Sequence, residues 1–197
     1  MHANGDAGIA VTLDVLESLL DEKPRVDHRF TLEHYGYSTA SQADRVARLG
    51  AIVSANPYYV YSLGDVYAKQ GLGADRARVI SRLGSLRRAG ARVALHSDFT
   101  MAPVRPLLLA WVAANRITAD GAVFGPEERL SLEDALRAIT LDAAFAIGQE
   151  RDLGSIEAGK KADFTALDRD PFEAGAAALR DLRVVGTIFE GQAHPRP

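Results

Sequence analysis

Apolar residues recur along the first three-quarters of the chain with two alternating periods, one helical and one extended. Ile9, Leu13, Leu16 and Leu20 return at three- and four-residue spacing, which predicts a helix over 9–20, with Pro24 as the stop beyond it. Arg29 to His34 then reads as a strand. Ser41 to Leu49 puts Ala43, Val46, Ala47 and Leu49 on or near one face of a short helix that Gly50 ends, and Ala51 to Asn56 is a buried-type strand. Ala74 to Ala89 predicts one longer helix. Its Val79, Ile80, Leu83 and Leu86 turn inward, and Arg76, Arg78, Arg82, Arg87 and Arg88 form a solvated outer face. Gly90 stops it at the usual C-terminal position, and Ala91 to Asp98 is the next strand. Strand and helix alternating with short Gly or Pro punctuation predict βαβ units on a parallel sheet, an α/β fold.

After Asp98 the pattern changes. Pro106 to Asn115 is a helix with Trp111 in the core, and a polar, Gly-containing segment follows from Thr118 to Arg129. Ser131-Leu132-Glu133-Asp134 opens a helix running to about Ile147 with a capping-box-like start. Farther on, Ala162 to Leu167 and Val184 to Phe189 read as strands closed by turn residues, a small β appendage. The expected division is 1–150 and 151–197.

Composition narrows the classes of function. The chain has 197 residues, 47% hydrophobic and 25% charged, enough to bury a core. A net charge of −3 argues against a non-specific nucleic-acid binder. Cysteine is absent, which excludes disulfides and thiol chemistry and fits a reducing, cytoplasmic setting. No apolar run reaches the roughly 20 residues of a membrane span. The expected partner is a small molecule, with no nucleic acid and no membrane.

Chemistry gathers where strand patterns end. His2 stands before Ala3-Asn4-Gly5-Asp6, His34 closes the second strand, and His96-Ser97-Asp98 closes the next after Ala51–Asn56. In parallel α/β folds catalytic groups collect at the C-terminal ends of strands, and imidazole with carboxylate there can hold a divalent cation such as Zn²⁺. A single strand-end histidine is ordinarily a hydrogen-bonded structural residue, and Asp98 alone would serve as a helix N-cap. Taken together at successive strand ends, His2, His34 and Asp98 favour a metal site. Tyr58, Tyr59 and Tyr61 lie just past a strand end, where they are candidates to line a substrate pocket, and Tyr58 and His96 are the candidates for contact with substrate. His28 is expected at the surface in a polar turn, and His194 in a disordered tail. Gly154 to Lys160 holds Gly and Lys without the spacing of a phosphate-binding loop.

These residues resemble a known family. His2-Ala3-Asn4-Gly5-Asp6 looks like the fifth-strand motif of the amidohydrolase superfamily, in the branch called amidohydrolase 3 or YtcJ-like. Leu32-Glu33-His34 looks like its sixth-strand motif and His96-Ser97-Asp98 like its eighth. Gly154 to Phe164 is similar to the segment where such enzymes leave the barrel for a β-sandwich, and Val184 to Gly191 resembles the final strand pair. The resemblance covers nearly the whole chain in order, and the tail motif is its most specific piece.

What the resemblance implies is a TIM-like (β/α)₈ barrel with a composite β-sandwich. Residues 1–150 would be the C-terminal half of the barrel, strands 5 to 8, and 151–197 the sandwich strands. It also implies one or two metal ions, usually zinc, and hydrolysis of a non-peptide C–N bond in a small amide-type substrate. His2 and His34 would be metal ligands, and Asp98 both ligand and general base. An H-x-H pair and strands 1 to 4 have no counterpart, so the chain reads as truncated, missing its N-terminus, and inactive alone. Open edges then imply self-association, a possible homo-oligomer. The alternatives are a catalytically incomplete homologue or scaffold, or another hydrolase of the superfamily, such as an N-acyl-D-amino-acid deacylase or an imidazolonepropionase-like enzyme.

Overall fold

The computed structural model describes residues 1–195. Four short strands, β1 (His2–Ala3), β2 (Thr31–His34), β3 (Ile52–Ala55) and β4 (Arg92–Leu95), pair in chain order and all in parallel. The register explains the apolar pattern. Leu32, Val53 and Val93 are partners in one row and each is 0% exposed. The opposite face carries the rows Thr31–Ile52–Arg92 and Glu33–Ser54–Ala94, a mixed polar surface. Among the described residues β1 and β4 each have a neighbour on one side only, so the sheet is open at both edges.

Helix α1 (Asp6–Glu22) buries Ile9, Leu13 and Leu16 but exposes Val11, Val15 and Leu19, at 63%, 55% and 56%. These three stand four residues apart and make a second, uncovered apolar stripe. Helix α2 (Ala40–Arg48) starts with a capping box: the Thr39 hydroxyl accepts from the Gln42 backbone N–H, and the Gln42 side chain accepts from the Thr39 N–H. Three short helices follow β3, namely α3 (Tyr58–Tyr61), α4 (Gly64–Gln70) and α5 (Ala74–Ala77), and then α6 (Leu83–Ala89) leads to β4.

The single helix expected over 74–89 is therefore two. The cause is Arg116, 1% exposed, whose guanidinium donates to the carbonyls of Ser81, Ile80 and Phe124 at 2.8 Å and of Arg78 at 3.0 Å. Carbonyls that face this side chain cannot also accept along a helix axis, and Ser81 adopts φ 50°. The outer arginine face is also corrected in part. Arg82 donates to the Ser38 carbonyl at 2.7 Å and reaches the buried Glu128 carboxylate, while Arg87 pairs with Asp134 and Asp142. Arg76, Arg78 and Arg88 are exposed.

After β4 come α7 (Pro106–Asn115), α8 (Leu132–Ala138) and α9 (Leu141–Ala146). The helix expected from 131 to 147 breaks at Thr140, whose hydroxyl donates to the Leu136 carbonyl at 2.8 Å while its backbone N–H turns to the Arg137 carbonyl at 3.1 Å. Phe145 lies under two guanidiniums, Arg29 at 3.6 Å and Arg92 at 3.7 Å from its ring centre. Arg29 also pairs with Glu150 at 2.6 Å and Arg92 with Asp142 at 2.8 Å. This plug sits at the N-terminal ends of the strands. His28 is not a free surface residue: its Nδ1 accepts from the Phe30 N–H at 3.0 Å, so its Nε2–H donates to the Leu49 carbonyl at 2.8 Å.

The tail forms a separate antiparallel sheet of β5 (Phe164–Leu167), β6 (Val184–Phe189) and β7 (Gln192–Pro195), with the short helix α10 (Pro171–Ala174) after β5. Glu190 and Gly191, at φ 47° and 84°, join β6 to β7 in a two-residue hairpin of the type that matches strand twist. His194 pairs with Thr187 in this hairpin, which corrects the expected disorder there. A 3₁₀ segment, Ala176–Asp181, seats the tail on α7, where the Trp111 indole N–H donates to the Ala177 carbonyl at 2.9 Å.

Candidate active site

Parallel pairing puts the ends of β1, β2 and β4 at one edge, and three imidazoles meet there. The rings of His2 and His34 have centroids 4.1 Å apart, and those of His34 and His96 4.9 Å. Strict alternation would turn His34 to the side of Leu32, away from His2. The backbone departs from it: His34 and Tyr35 adopt φ 74° and 49°, a left-handed region that residues other than glycine seldom occupy. The bend lays the His34 ring against both other histidines.

Each ring has a different setting. His2 is exposed, and its Nε2 lies 2.9 Å from the Asn4 side-chain amide nitrogen, which donates to it. His34 is buried, with Nδ1 3.4 Å from the Tyr59 hydroxyl. Burial first, then the neighbouring His2, holds the His34 pKa below the ordinary histidine value, against the opposing pull of Asp98. Burial likewise lowers the His96 pKa, with His34 adding to the effect. The His96 Nε2 is buried and has no hydrogen-bond partner among the described residues. Burial therefore favours the neutral form of His34 and His96, the form that carries a free lone pair.

Asp98 is exposed, at φ 54°, and makes no hydrogen bond to a histidine among the described residues. Its charge nonetheless acts on His34, His96 and Tyr59. Tyr58 turns away: it is 3% exposed and its hydroxyl donates to the Pro103 carbonyl at 3.2 Å. Its neighbour Tyr59 faces the histidines instead. Asn4 is a contact that the residue pattern did not single out for a role, although it stands directly after a strand end; Tyr59 is one of the three tyrosines expected to line a pocket.

The chain belongs to the amidohydrolase family, whose model matches residues 1–193. It is 33% identical over 192 residues to an N-substituted formamide deformylase of Arthrobacter pascens, covering 97% of this chain and 35% of that protein. YtcJ of Bacillus subtilis (strain 168), which bears an amidohydrolase name, is 29% identical over 98% of this chain and 36% of its own length. Among solved structures, an uncharacterized metal-dependent hydrolase from Pyrococcus horikoshii OT3 superposes with a TM-score of 0.72 at 25% identity, over 98% of this chain and 35% of that one. The chain thus spans about a third of the length of these relatives.

A divalent metal is what such neighbours imply, and the residues can be tested against it. The donor chemistry fits in kind: imidazoles in ring contact, one with a buried unpartnered nitrogen. It does not fit in number. Among the described residues, no three His, Asp or Glu side chains are arranged to hold one ion. The cluster is a partial donor set.

Proposed function

We propose that this chain is the metal-binding, proton-transferring part of an amidohydrolase that cleaves a non-peptide C–N bond in a small amide. The observation that carries the reading is the contact of His2, His34 and His96 at the C-terminal ends of parallel strands. In this reading β1 to β4 are the last four strands of an eight-stranded barrel, residues 1–150 belong to that barrel, and 151–197 are strands of a β-sandwich. The open sheet edges and the partial donor set support it. In this reading the remaining donors would come from the part of the relatives' length that this chain does not cover, and the chain alone would be inactive.

His2 and His34 would hold a divalent cation, zinc by the preference of imidazole and carboxylate together. Such an ion lowers the pKa of water and polarises a carbonyl oxygen. His34 presents a lone pair at neutral pH because burial keeps it deprotonated. Asp98, exposed beside the imidazoles, accepts the proton of the attacking water and passes it to the leaving nitrogen. The relative that hydrolyses N-substituted formamides makes such a formamide the first substrate to try.

The test is to express the chain joined to any coding sequence in frame before Met1, and to follow amine release from an N-substituted formamide with zinc supplied. Turnover should fall by about 10²-fold or more in Asp98→Asn, the scale of a lost acid–base group. Undiminished turnover in that variant would remove Asp98 from the reaction. A second reading, a scaffold that never completes a site, is favoured by the missing third donor. It would be correct if the extended protein takes up no metal.

A further inference from the structure

We propose that the open pocket beside the histidines is a recognition site for a neutral aromatic ring, carried by the substrate of the reaction proposed above. The pocket has a volume of about 360 Å³ and is walled by Tyr37, Tyr59 and Tyr67, with Leu72 and Ile80 behind them. An apolar cavity of roughly 150 Å³ already admits benzene, so there is room for one ring and the atoms that link it. All three tyrosine rings are half-buried. Aromatic faces and edges reward another aromatic ring over a saturated one of equal size, because their quadrupoles attract edge to face.

Charge in the pocket is balanced. Asp6 and Arg76 both line it, one acid and one base, so neither a carboxylate nor an ammonium gains a net partner there. Arg76 is exposed, makes no ion pair among the described residues, and stands with its guanidinium 5.6 Å from the Tyr37 ring centre. It can lie over a bound ring in the same way. The space is kept open at Gly36, where an added Cβ would lie 2.8 Å from the Asn4 carbonyl.

Two residues connect this pocket to the histidines. Tyr59 forms a wall and sets its hydroxyl 3.4 Å from His34 Nδ1, and Asn4 lines the pocket while its amide donates to His2. A ring seated among the tyrosines would therefore present the group attached to it to His2 and His34. This rests on the amidohydrolase reading for its meaning, but the binding itself requires neither metal nor turnover.

The experiment is an NMR titration of the 197-residue chain, without added metal, using acetanilide, its saturated counterpart N-cyclohexylacetamide, and the charged 4-acetamidobenzoate. Acetanilide should bind about tenfold more tightly than either of the others, with shift changes centred on Tyr37, Tyr59 and Tyr67. Tyr67→Ala should weaken it about fivefold and Tyr67→Phe should leave it unchanged. The exposed Arg76→Gln, which cannot threaten the core, should weaken it about twofold. Equal binding of the saturated amide, tighter binding of the benzoate, or shift changes elsewhere would overturn the proposal. If the extended enzyme turns over amides with no preference for a ring, this site alone is wrong. If the ring binds but no amide is hydrolysed, the functional reading alone is wrong.

Discussion

The Tyr59 hydroxyl stands 3.4 Å from Nδ1 of His34, a hydrogen bond that orients the polar edge of that ring. Burial raises the Tyr59 pKa, so the phenol stays protonated and neutral at physiological pH. Groups that orient a metal-ligating histidine are worth about 10- to 100-fold in metal affinity. Tyr59→Phe in the extended protein should lower zinc affinity by about tenfold while leaving the melting temperature in place. A competitive chelator titration reads this, and unchanged affinity would make the contact incidental.

Arg116 supports the chain between α5 and α6 through three backbone carbonyls, those of Arg78, Ile80 and Ser81, and holds the Phe124 carbonyl as well. Burial lowers its pKa only to about 10, so the guanidinium remains charged at neutral pH. Arg116→Met would remove the donor from the carbonyls of Arg78, Ile80 and Phe124, while the Ser81 carbonyl keeps the Leu83 N–H at 2.8 Å. The expected loss is about 3–5 kcal/mol of unfolding free energy, measured by urea denaturation. A loss below about 1 kcal/mol would show that water replaces the side chain.

Stability should fall in acid through the Arg29–Glu150 pair. The Arg29 hydrogen bonds hold the Glu150 carboxyl at about 2, below its ordinary 4.5. A depressed carboxylate contributes its stability above the unfolded value and loses it as the pH drops through the folded one. The melting temperature should therefore decline between pH 4.5 and about 2, and Glu150→Gln should flatten that part of the curve. Both groups are solvent-accessible, which keeps the effect small.

The chain by itself should hold zinc weakly. Its imidazoles are close, but a third donor for the same ion is missing among the described residues, and a catalytic zinc ordinarily needs three protein ligands. Stoichiometric zinc remaining after dialysis of the purified chain would contradict this.

Self-association is the expected behaviour of the isolated chain. Val11, Val15 and Leu19 form an exposed stripe on α1, and β1 is an open edge of the sheet. Sedimentation velocity should show concentration-dependent oligomers, reduced in a Val11→Lys, Val15→Glu double variant. A monomer with one sharp melting transition would show that the stripe needs no cover.

Strands β3 and β4 were legible in the sequence because each is a short, mainly apolar run beside a glycine or polar turn, with Val53 and Val93 in such runs; β2 carries only Leu32 as an aliphatic residue, and the two-residue β1 has no apolar run to mark it. The histidine cluster was legible because parallel strands bring their C-terminal ends together, whatever lies between them. The helix breaks at 78–82 and 140 were not. Both arise from side chains that capture carbonyls, one of them 35 or more residues away at Arg116. Local periodicity carries no trace of such a partner. The turn of His34 toward His2 was hidden for a related reason, since a left-handed φ at a non-glycine residue is imposed by the packed fold. The selection of Tyr59 over Tyr58 depends on the pitch of a single helical turn, finer than residue type resolves.

Asn4 gives these parts a common reference. Its carbonyl accepts the Tyr37 N–H at 2.8 Å, its amide holds His2, and its backbone fills the space a side chain at Gly36 would need. One peptide thereby locates the ends of two different strands and the floor of the neighbouring pocket. A slip of β1 along β2 could not displace one imidazole alone; it would carry His2, the loop after His34 and the pocket wall with it. Tolerance at this end of the molecule is thus collective: an isolated exchange at position 4 registers at every group that takes its bearing from it.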